Sequence, residues 1–339
     1  MWRISPDRRS REAHFERNLM HDASVRPQLY ADSFYDVPAQ RPSAGIALQS
    51  VRVHSQHILL DVEEELLGGA KQVLCAVDAE VSLGPEQRGI HMSRIEQAFQ
   101  CDHRGPLAAI ALAIAEKIRE TQRQDSARVH LRAVAPIVTC TPVTALASPD
   151  TVEICAVAVA GSEPSVTQSV GATIITACPC MQGYALIDLV DELGLTAADG
   201  LRLLSRVPIA THSQKGRATL TVRAPDLADL PGHHVLYRAL ADHTVLTQEL
   251  LKRPDEYALV RRAHLRPQFV EDVARDTAVG LARQLLTTDQ DLRRLTIHVL
   301  ADSYESIHGH DIQAVLEMTA DRIVALTERT SGETAGSSA

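Results

Sequence analysis

Alternation of apolar and polar residues begins near Gly45 and organises most of the chain from there. Residues 46–54 and 57–62 carry the period-2 pattern of a strand pair, and 72–83 extends it with Val73, Cys75 and Val77 on one face. Ser93 with Glu96 three residues later predicts a capping box and a helix over 93–100, and 107–122 reads as a second helix. Residues 128–133 alternate, with Val129, Leu131 and Ala133 opposed to Arg128, His130 and Arg132, and 151–159 predicts a further strand. The second half runs in a similar order. A strand over 166–177 ends at Cys178-Pro179-Cys180, and a helix over 181–193 follows. Thr196 and Asp199 cap a short helix ending near Arg206, and 217–223 alternates. Residues 235–251 predict one helix, with Leu236, Leu240, His243 and Leu250 along a stripe. Arg266-Pro267 opens another to about Leu286, with Phe269, Val273, Leu281 and Leu285 on one face, and Leu295, Ile297 and Val299 mark a strand.

Strands, paired helices and strands, twice over, predict an α+β protein of two similar modules, 45–162 and 163–326. A flexible segment 1–44 and a disordered tail 327–339 flank them, both on composition. Modules of this kind leave sheet edges open, which favours closure by oligomerisation.

Composition narrows the function more than the fold. At 339 residues the chain can bury a large core, while a net charge of −9 and few aromatics argue against a nucleic-acid surface. No apolar run reaches the roughly 20 residues of a membrane span, and residues 1–18 lack the apolar stretch of a secretory signal. Six cysteines in a chain of this size do not form a disulfide framework pattern, so a cytoplasmic location is the expectation. Cys75, Cys101, Cys140 and Cys155 read as small buried hydrophobes, and His243 as a packed histidine.

The proline in Cys178-Pro179-Cys180 fixes the backbone and removes the CxxC spacing, so one thiolate could bind a metal while the other points elsewhere. Downstream, polar residues collect at the ends of elements: Thr211-His212-Ser213-Gln214, Arg253-Pro254-Asp255-Glu256, Glu271, and Glu305 through Asp311. Thiolate, imidazole and carboxylate suit Zn²⁺ or Fe²⁺, and three protein ligands leave a position for water. Spacing alone does not bring these residues together.

Six segments, Gly89-Ile90-His91-Met92-Ser93-Arg94, Thr176-Ala177-Cys178-Pro179-Cys180, Ala210-Thr211-His212-Ser213-Gln214, Leu251-Lys252-Arg253-Pro254-Asp255-Glu256, Phe269-Val270-Glu271-Asp272 and Glu305-Ser306-Ile307-His308-Gly309-His310-Asp311, together resemble a known set. In this order they are similar to the motifs of the type IB GTP cyclohydrolases, enzymes of the tunnelling fold. The resemblance implies two tandem tunnelling-fold modules per subunit, a homotetramer, and active sites at subunit interfaces. It implies Cys178, His212 and Glu256 as ligands of one divalent metal per subunit, Fe²⁺, Zn²⁺ or Mn²⁺, with water completing the shell. Glu271 would grip the guanine edge of GTP, Glu305, His308 and His310 would sit beside the reacting ring and move protons, and Cys180 would face the substrate. His91, Arg94 and Lys215 are the candidates for holding phosphates.

The implied reaction is water attack at C8, loss of formate, and closure to a 7,8-dihydroneopterin triphosphate or 2′,3′-cyclic phosphate. The chain has His212-Ser213-Gln214-Lys215 where the family commonly has His-Asn-Gln-Arg, which removes a bidentate fork. Its long 180–212 segment resembles the archaeal, iron-dependent branch. The alternatives are another tunnelling-fold enzyme, such as a nitrile reductase acting on a deazaguanine, or a non-catalytic purine- or pterin-binding protein of that fold. Retention of Cys178, His212 and Glu256 weighs against both.

Overall fold

The computed structural model describes residues 36–100, 103–209 and 211–336, with side chains to residue 329. Most of the segment read as flexible, residues 1–35, lies outside the described residues, but residues 36–44 dock: Arg88 N and Gly89 N both donate to Pro38 O, at 3.0 and 3.1 Å.

Strand β1 (Leu48–Glu64) and strand β2 (Gly69–Leu83) form a long antiparallel hairpin. Gly68 and Gly69 turn the chain between them at φ 73° and 108°, conformations that a side chain resists. The two short strands expected at 46–54 and 57–62 are one. β1 continues through Ser55 at φ 64°, and the register with β2 slips by one residue between Val53↔Ala79 and Gln56↔Val77. This is a bulge, tied by Ser55 N donating to Asp78 Oδ1 at 3.3 Å.

Helix α1 (Met92–Phe99) starts one residue earlier than predicted, and the capping box of Ser93 and Glu96 does not form, because His91 is the N-cap. Gln122 holds the His91 peptide from both sides instead, accepting from its N at 3.0 Å and donating to its O at 2.8 Å. β3 (Arg104–Gly105) is a two-residue parallel partner of β1, and α2 (Leu107–Gln122) matches its predicted span. β4 (Ala127–Cys140) and β5 (Ala147–Ala160) run well past their predicted ends, paired along their whole length.

β6 (Ser165–Ala177) leads into α3 (Pro179–Leu193) and α4 (Ala197–Leu204), where Thr196 accepts from Asp199 N as the sequence implies. After β7 (Ser213–Ala224) comes α5 (His233–His243), which ends eight residues short of the predicted 251. The reason lies in the sheet. β5 and β6 are paired only as far as Glu153↔Gly171, which leaves β6 backbone groups open beyond that point. The chain fills that fork as an extended segment: Ile175 N donates to Val245 O at 2.8 Å and Thr247 N to Thr173 O at 3.0 Å. Thr244, Val245 and Thr247 are β-branched and suit the extended form.

α6 (Arg253–Leu265) and α7 (Val270–Leu285) follow, then β8 (Thr296–Ser303) and β9 (Ile312–Thr319). β9 was legible in the alternation of Ile312, Ala314, Leu316 and Met318, which the sequence reading passed over. The last helix, α8 (Ala320–Gly336), continues through most of the tail expected to be disordered. Residues 337–339 lie outside the described residues.

The nine strands of the described residues form one sheet in the order β3-β1-β2-β4-β5-β6-β7-β8-β9, antiparallel throughout except for β3. This is the expected α+β architecture of antiparallel strands with paired helices, given twice. Along each central strand every second residue is buried, as in Val73, Cys75, Val77, Ala79 and Val81, so the helices cover one face. A buried pair ties the halves together: His233 Nδ1, at the start of α5, lies 2.9 Å from Glu64 Oε1 at the end of β1. Among the described residues no helix is long and apolar enough to cross a membrane.

Candidate active site

The candidate residues of the second half converge on one end of the sheet. Cys178 caps α3 directly after the last residue of β6, and its N donates to His212 O at 3.2 Å. With Ala177 paired to Ser213, this sets Cys178 and His212 opposite each other at the strand ends, both half-buried. Thr211 Oγ1 donates to Cys178 O at 2.6 Å and fixes the turn. Ala210, the first residue of that motif, lies outside the described residues.

The start of α7 reaches the same place. Ala177 N donates to Gln268 O at 3.3 Å, so Glu271, exposed in the first turn of α7, is three residues from a backbone contact beside Cys178. β8 delivers the last group: Tyr304 N donates to Lys215 O at 3.0 Å, which sets Glu305 beside Gln214. Gln214 Nε2 donates to Glu305 Oε1 at 3.0 Å and to Ser303 Oγ at 3.1 Å, and Gln214 Oε1 lies 3.2 Å from His212 Nδ1. Ser303 Oγ donates to Glu305 Oε1 at 2.9 Å and contacts Thr176 Oγ1 at 3.1 Å. Lys215 is exposed. His308 and His310 are exposed in the loop after Glu305, their rings stacked 5.2 Å apart.

The Cys180 thiol is exposed and is pushed up, by loss of solvent first and then by the nearby Cys178 thiol. Pro179 occupies the first helical position, so Cys180 already lies in the first turn of α3 and remains next to the cap residue. Of the other cysteines, Cys75 is buried as expected and Cys140 is exposed, at the end of the β4–β5 hairpin. Cys101 lies outside the described residues.

Glu256 stands on the exposed first turn of α6. Its neighbour Asp255, not Glu256, anchors that helix. Asp255 is buried and accepts from Val143 N and Thr144 N, both at 2.9 Å, and from the Thr144 hydroxyl at 2.6 Å. Burial works against its charge, but these bonds and one from Lys252 N prevail and hold the carboxyl well below the usual range. Among the described residues, no three His, Cys, Asp or Glu side chains are gathered to hold a metal ion. The donor chemistry of Cys178 and His212, facing across a ladder, fits Zn²⁺ or Fe²⁺. Glu256 stands outside that pair.

His91 and Arg94 belong to the other end of the sheet. His91 Nε2 contacts Asp36 Oδ1 at 2.8 Å, and Arg94 Nη1 donates to Thr121 O at 3.1 Å, beside the C-terminus of α2. There β4 begins, opposite the last residue of β5, whereas Cys178 follows the last residue of β6. The 13 residues of β6 at roughly 3.3 Å each separate these ends by about 40 Å.

Sequence reasoning passed over Gln214, Ser303 and Thr176 as site residues. Gln214 lies two residues after His212 and Ser303 two before Glu305, the spacing that puts strand side chains on a common face.

A family model described as type I GTP cyclohydrolase folE2 matches residues 34–314. Among curated relatives, GTP cyclohydrolase MptA 2 of Methanocella arvoryzae is 29% identical over 259 residues, covering 72% of this chain and 82% of its own. GTP cyclohydrolase MptA of Haloquadratum walsbyi is 29% identical over 304 residues, covering 86% and 96%. Among solved structures, the uricase of Arthrobacter globiformis aligns with a TM-score of 0.41 at 9% identity, over 80% of this chain and 95% of that one.

Proposed function

The chain belongs to the type I GTP cyclohydrolase family, and on that premise we propose that it opens the imidazole ring of GTP by hydrolysis and rebuilds it as a dihydropterin. The observation that supports this most is the convergence of Cys178, His212, Glu305 and the Glu271-bearing start of α7 at one end of the sheet.

In this reading Cys178, His212 and Glu256 would hold one divalent metal. The metal, when bound, lowers the pKa of water and so supplies the nucleophile near neutral pH. Glu271 accepts from the N1–H and 2-amino group of guanine, a pair of charge-assisted hydrogen bonds that orients the base. Water adds to C8, and the C8–N9 bond breaks as N9 takes a proton. A second water cleaves C8 from N7, and C8 leaves as formate. Glu305 and His308 move the protons these steps require, with His310 stacked on His308. Cys180, next to Cys178, faces the substrate.

The phosphates reach His91 and Arg94 only from a neighbouring copy, because about 40 Å of strand separates these residues from Cys178 in one chain. In this reading the complete site would lie between subunits of a homotetramer, with Lys215 on the near side. The product would be a 7,8-dihydroneopterin triphosphate or its 2′,3′-cyclic phosphate.

The test is to purify the protein without oxygen, load it with Fe²⁺, Zn²⁺ or Mn²⁺, and add GTP. Formate release, pterin fluorescence after oxidation and a product mass are the expected result. Absence of formate with all three metals overturns the proposal.

A further inference from the structure

Gln214 touches no reacting atom in the proposed reaction, yet it joins His212 to Glu305, and the polarity of its contacts is determined throughout. A carboxylate only accepts, so the Gln214 group facing Glu305 Oε1 is the amide NH₂. Ser303 agrees: its one proton goes to Glu305 Oε1, so its oxygen receives from Gln214 Nε2 and from the Thr176 hydroxyl. Ser303 and Thr176 are 2% and 1% exposed, so water does not relax this arrangement. With its NH₂ committed to Glu305, Gln214 offers only its carbonyl oxygen to His212. The imidazole must then donate through Nδ1–H, which leaves the Nε2 lone pair bare.

We infer that Gln214 is a positioning residue that sets the tautomer of His212, with Glu305 as the fixed reference that sets the amide of Gln214. Reversal of the amide would present NH₂ to Nδ1, move the imidazole proton to Nε2 and block that nitrogen as a donor to metal. A ligand histidine held through its second nitrogen is both oriented and made more basic. The carboxylate given a proton-moving part thus acts at a second level, through two hydrogen bonds, on metal affinity. This inference rests on the proposed ligand part of His212 for its consequence, but not for the tautomer itself.

Nitrogen NMR of the imidazoles in metal-free, full-length protein, with His212 assigned from a His212→Gln variant, reads the tautomer directly. Wild type is expected to show His212 protonated on Nδ1. Gln214→Met keeps the volume but removes all three of these contacts; a mixture of tautomers and roughly 10- to 100-fold weaker Zn²⁺ binding are expected. Gln214→Glu restores an acceptor for Nδ1–H and is expected to recover that tautomer and part of the affinity. Glu305→Gln frees the amide to reverse and is expected to shift the tautomer ratio in the same direction as Gln214→Met. Melting curves of each variant show that the fold is intact. His212 protonated on Nε2 in wild type, or Gln214→Met with an unchanged tautomer and Zn²⁺ affinity, overturns the inference. If His212→Gln binds Zn²⁺ as tightly as wild type while Nδ1–H is observed, the ligand assignment falls and the positioning of His212 stands.

Discussion

Among the described residues, the first half of the chain places α1, the short β3 and α2 between β2 and β4, whereas the second half places α5, an extended segment, α6 and α7 between β7 and β8. It also opens the β6–β7 connection to admit α3 and α4. α2 buries Leu107, Ile110, Ile114 and Ile118 against the sheet, while among the added helices α3 buries only Gln182 and α4 only Gly200. The additions are held by polar contacts instead: Gln182 Nε2 donates to His264 O, Asp255 binds the β4–β5 turn, and Arg261 Nη2 donates to Arg206 O. Elements that bury little apolar surface contribute little to global stability and sit at the mobile end of the molecule's range. The strands with α2, α5 and α7 therefore carry the stability, while α3, α4 and α6 bury little and add Cys180 and Glu256 to candidate residues that the strand ends and α7 already present.

The largest effect that would test this division is on activity. Cys178→Ala is expected to lose metal and to lower GTP turnover at least about 100-fold, with a melting temperature close to wild type. Glu271→Ala should keep metal but bind GTP roughly 10- to 100-fold more weakly, as expected for a lost hydrogen bond to a charged group of about 1.5–3 kcal/mol. A large loss of stability in either variant would break the division, since it would make these half-buried or exposed side chains part of what holds the frame together.

Next comes the contact between the halves. Glu64 Oε1 accepts from Leu107 N at 3.0 Å and contacts buried His233, whose ring lies 2.9 Å away. Removing one side of such a pair strands the other, so Glu64→Ala should cost about 3–5 kcal/mol in urea unfolding without changing metal uptake.

Asp255 gives the pH test of an addition. Its carboxyl titrates well below the usual range when folded, so its contribution is complete above the unfolded pKa of about 4 and is lost as pH falls through the folded value. The stability difference between wild type and Asp255→Asn should stay constant near neutrality and shrink below about pH 4. A difference that grows on acidification would contradict the hydrogen-bonding described for this carboxylate.

Two glycines sharpen the comparison at the smallest scale. A Cβ on Gly280 in α7 would fall 2.1 Å from the His243 ring, so Gly280→Ala should cost about 1–3 kcal/mol. Gly183 in α3 has nothing within 4 Å, and Gly183→Ala should stabilise by roughly 0.5–1 kcal/mol. Thermal melts of the two variants should shift in opposite directions.

How much of this was legible in the sequence follows the same division. α2 and the central strands declared themselves because apolar residues recur at the period of their element, and packing against one sheet face rewards that period. Thr196 and Asp199 were legible because a cap is local. Residues 244–251 were not: Leu250 continues the helical stripe of Leu236 and Leu240, but open backbone groups on β6 outweigh local preference, and β6 is far away in sequence. The pairing of Ser93 with Glu96 failed for a similar reason, since Gln122 from another helix already holds the His91 peptide. At the site, Cys178, His212 and Glu305 were identified through their motifs, and their neighbourhood through β6, β7 and β8 is a finding of the fold. Gln214 escaped because glutamine has no chemistry of its own to attract notice.

The fork between β5 and β6 has a consequence for the order in which the molecule is built. Thr247 Oγ1 contacts Thr173 O across 74 residues of chain, so the ladder beside the candidate site waits for a large loop to close. During synthesis the whole first half, with its local hairpins and α2, is complete before residues 244–252 emerge to fill that gap. Until then the end of β6 that precedes Cys178 presents unpaired backbone, which is the surface a stray strand recruits. The cell meets this protein first as a finished first half with its working end still open.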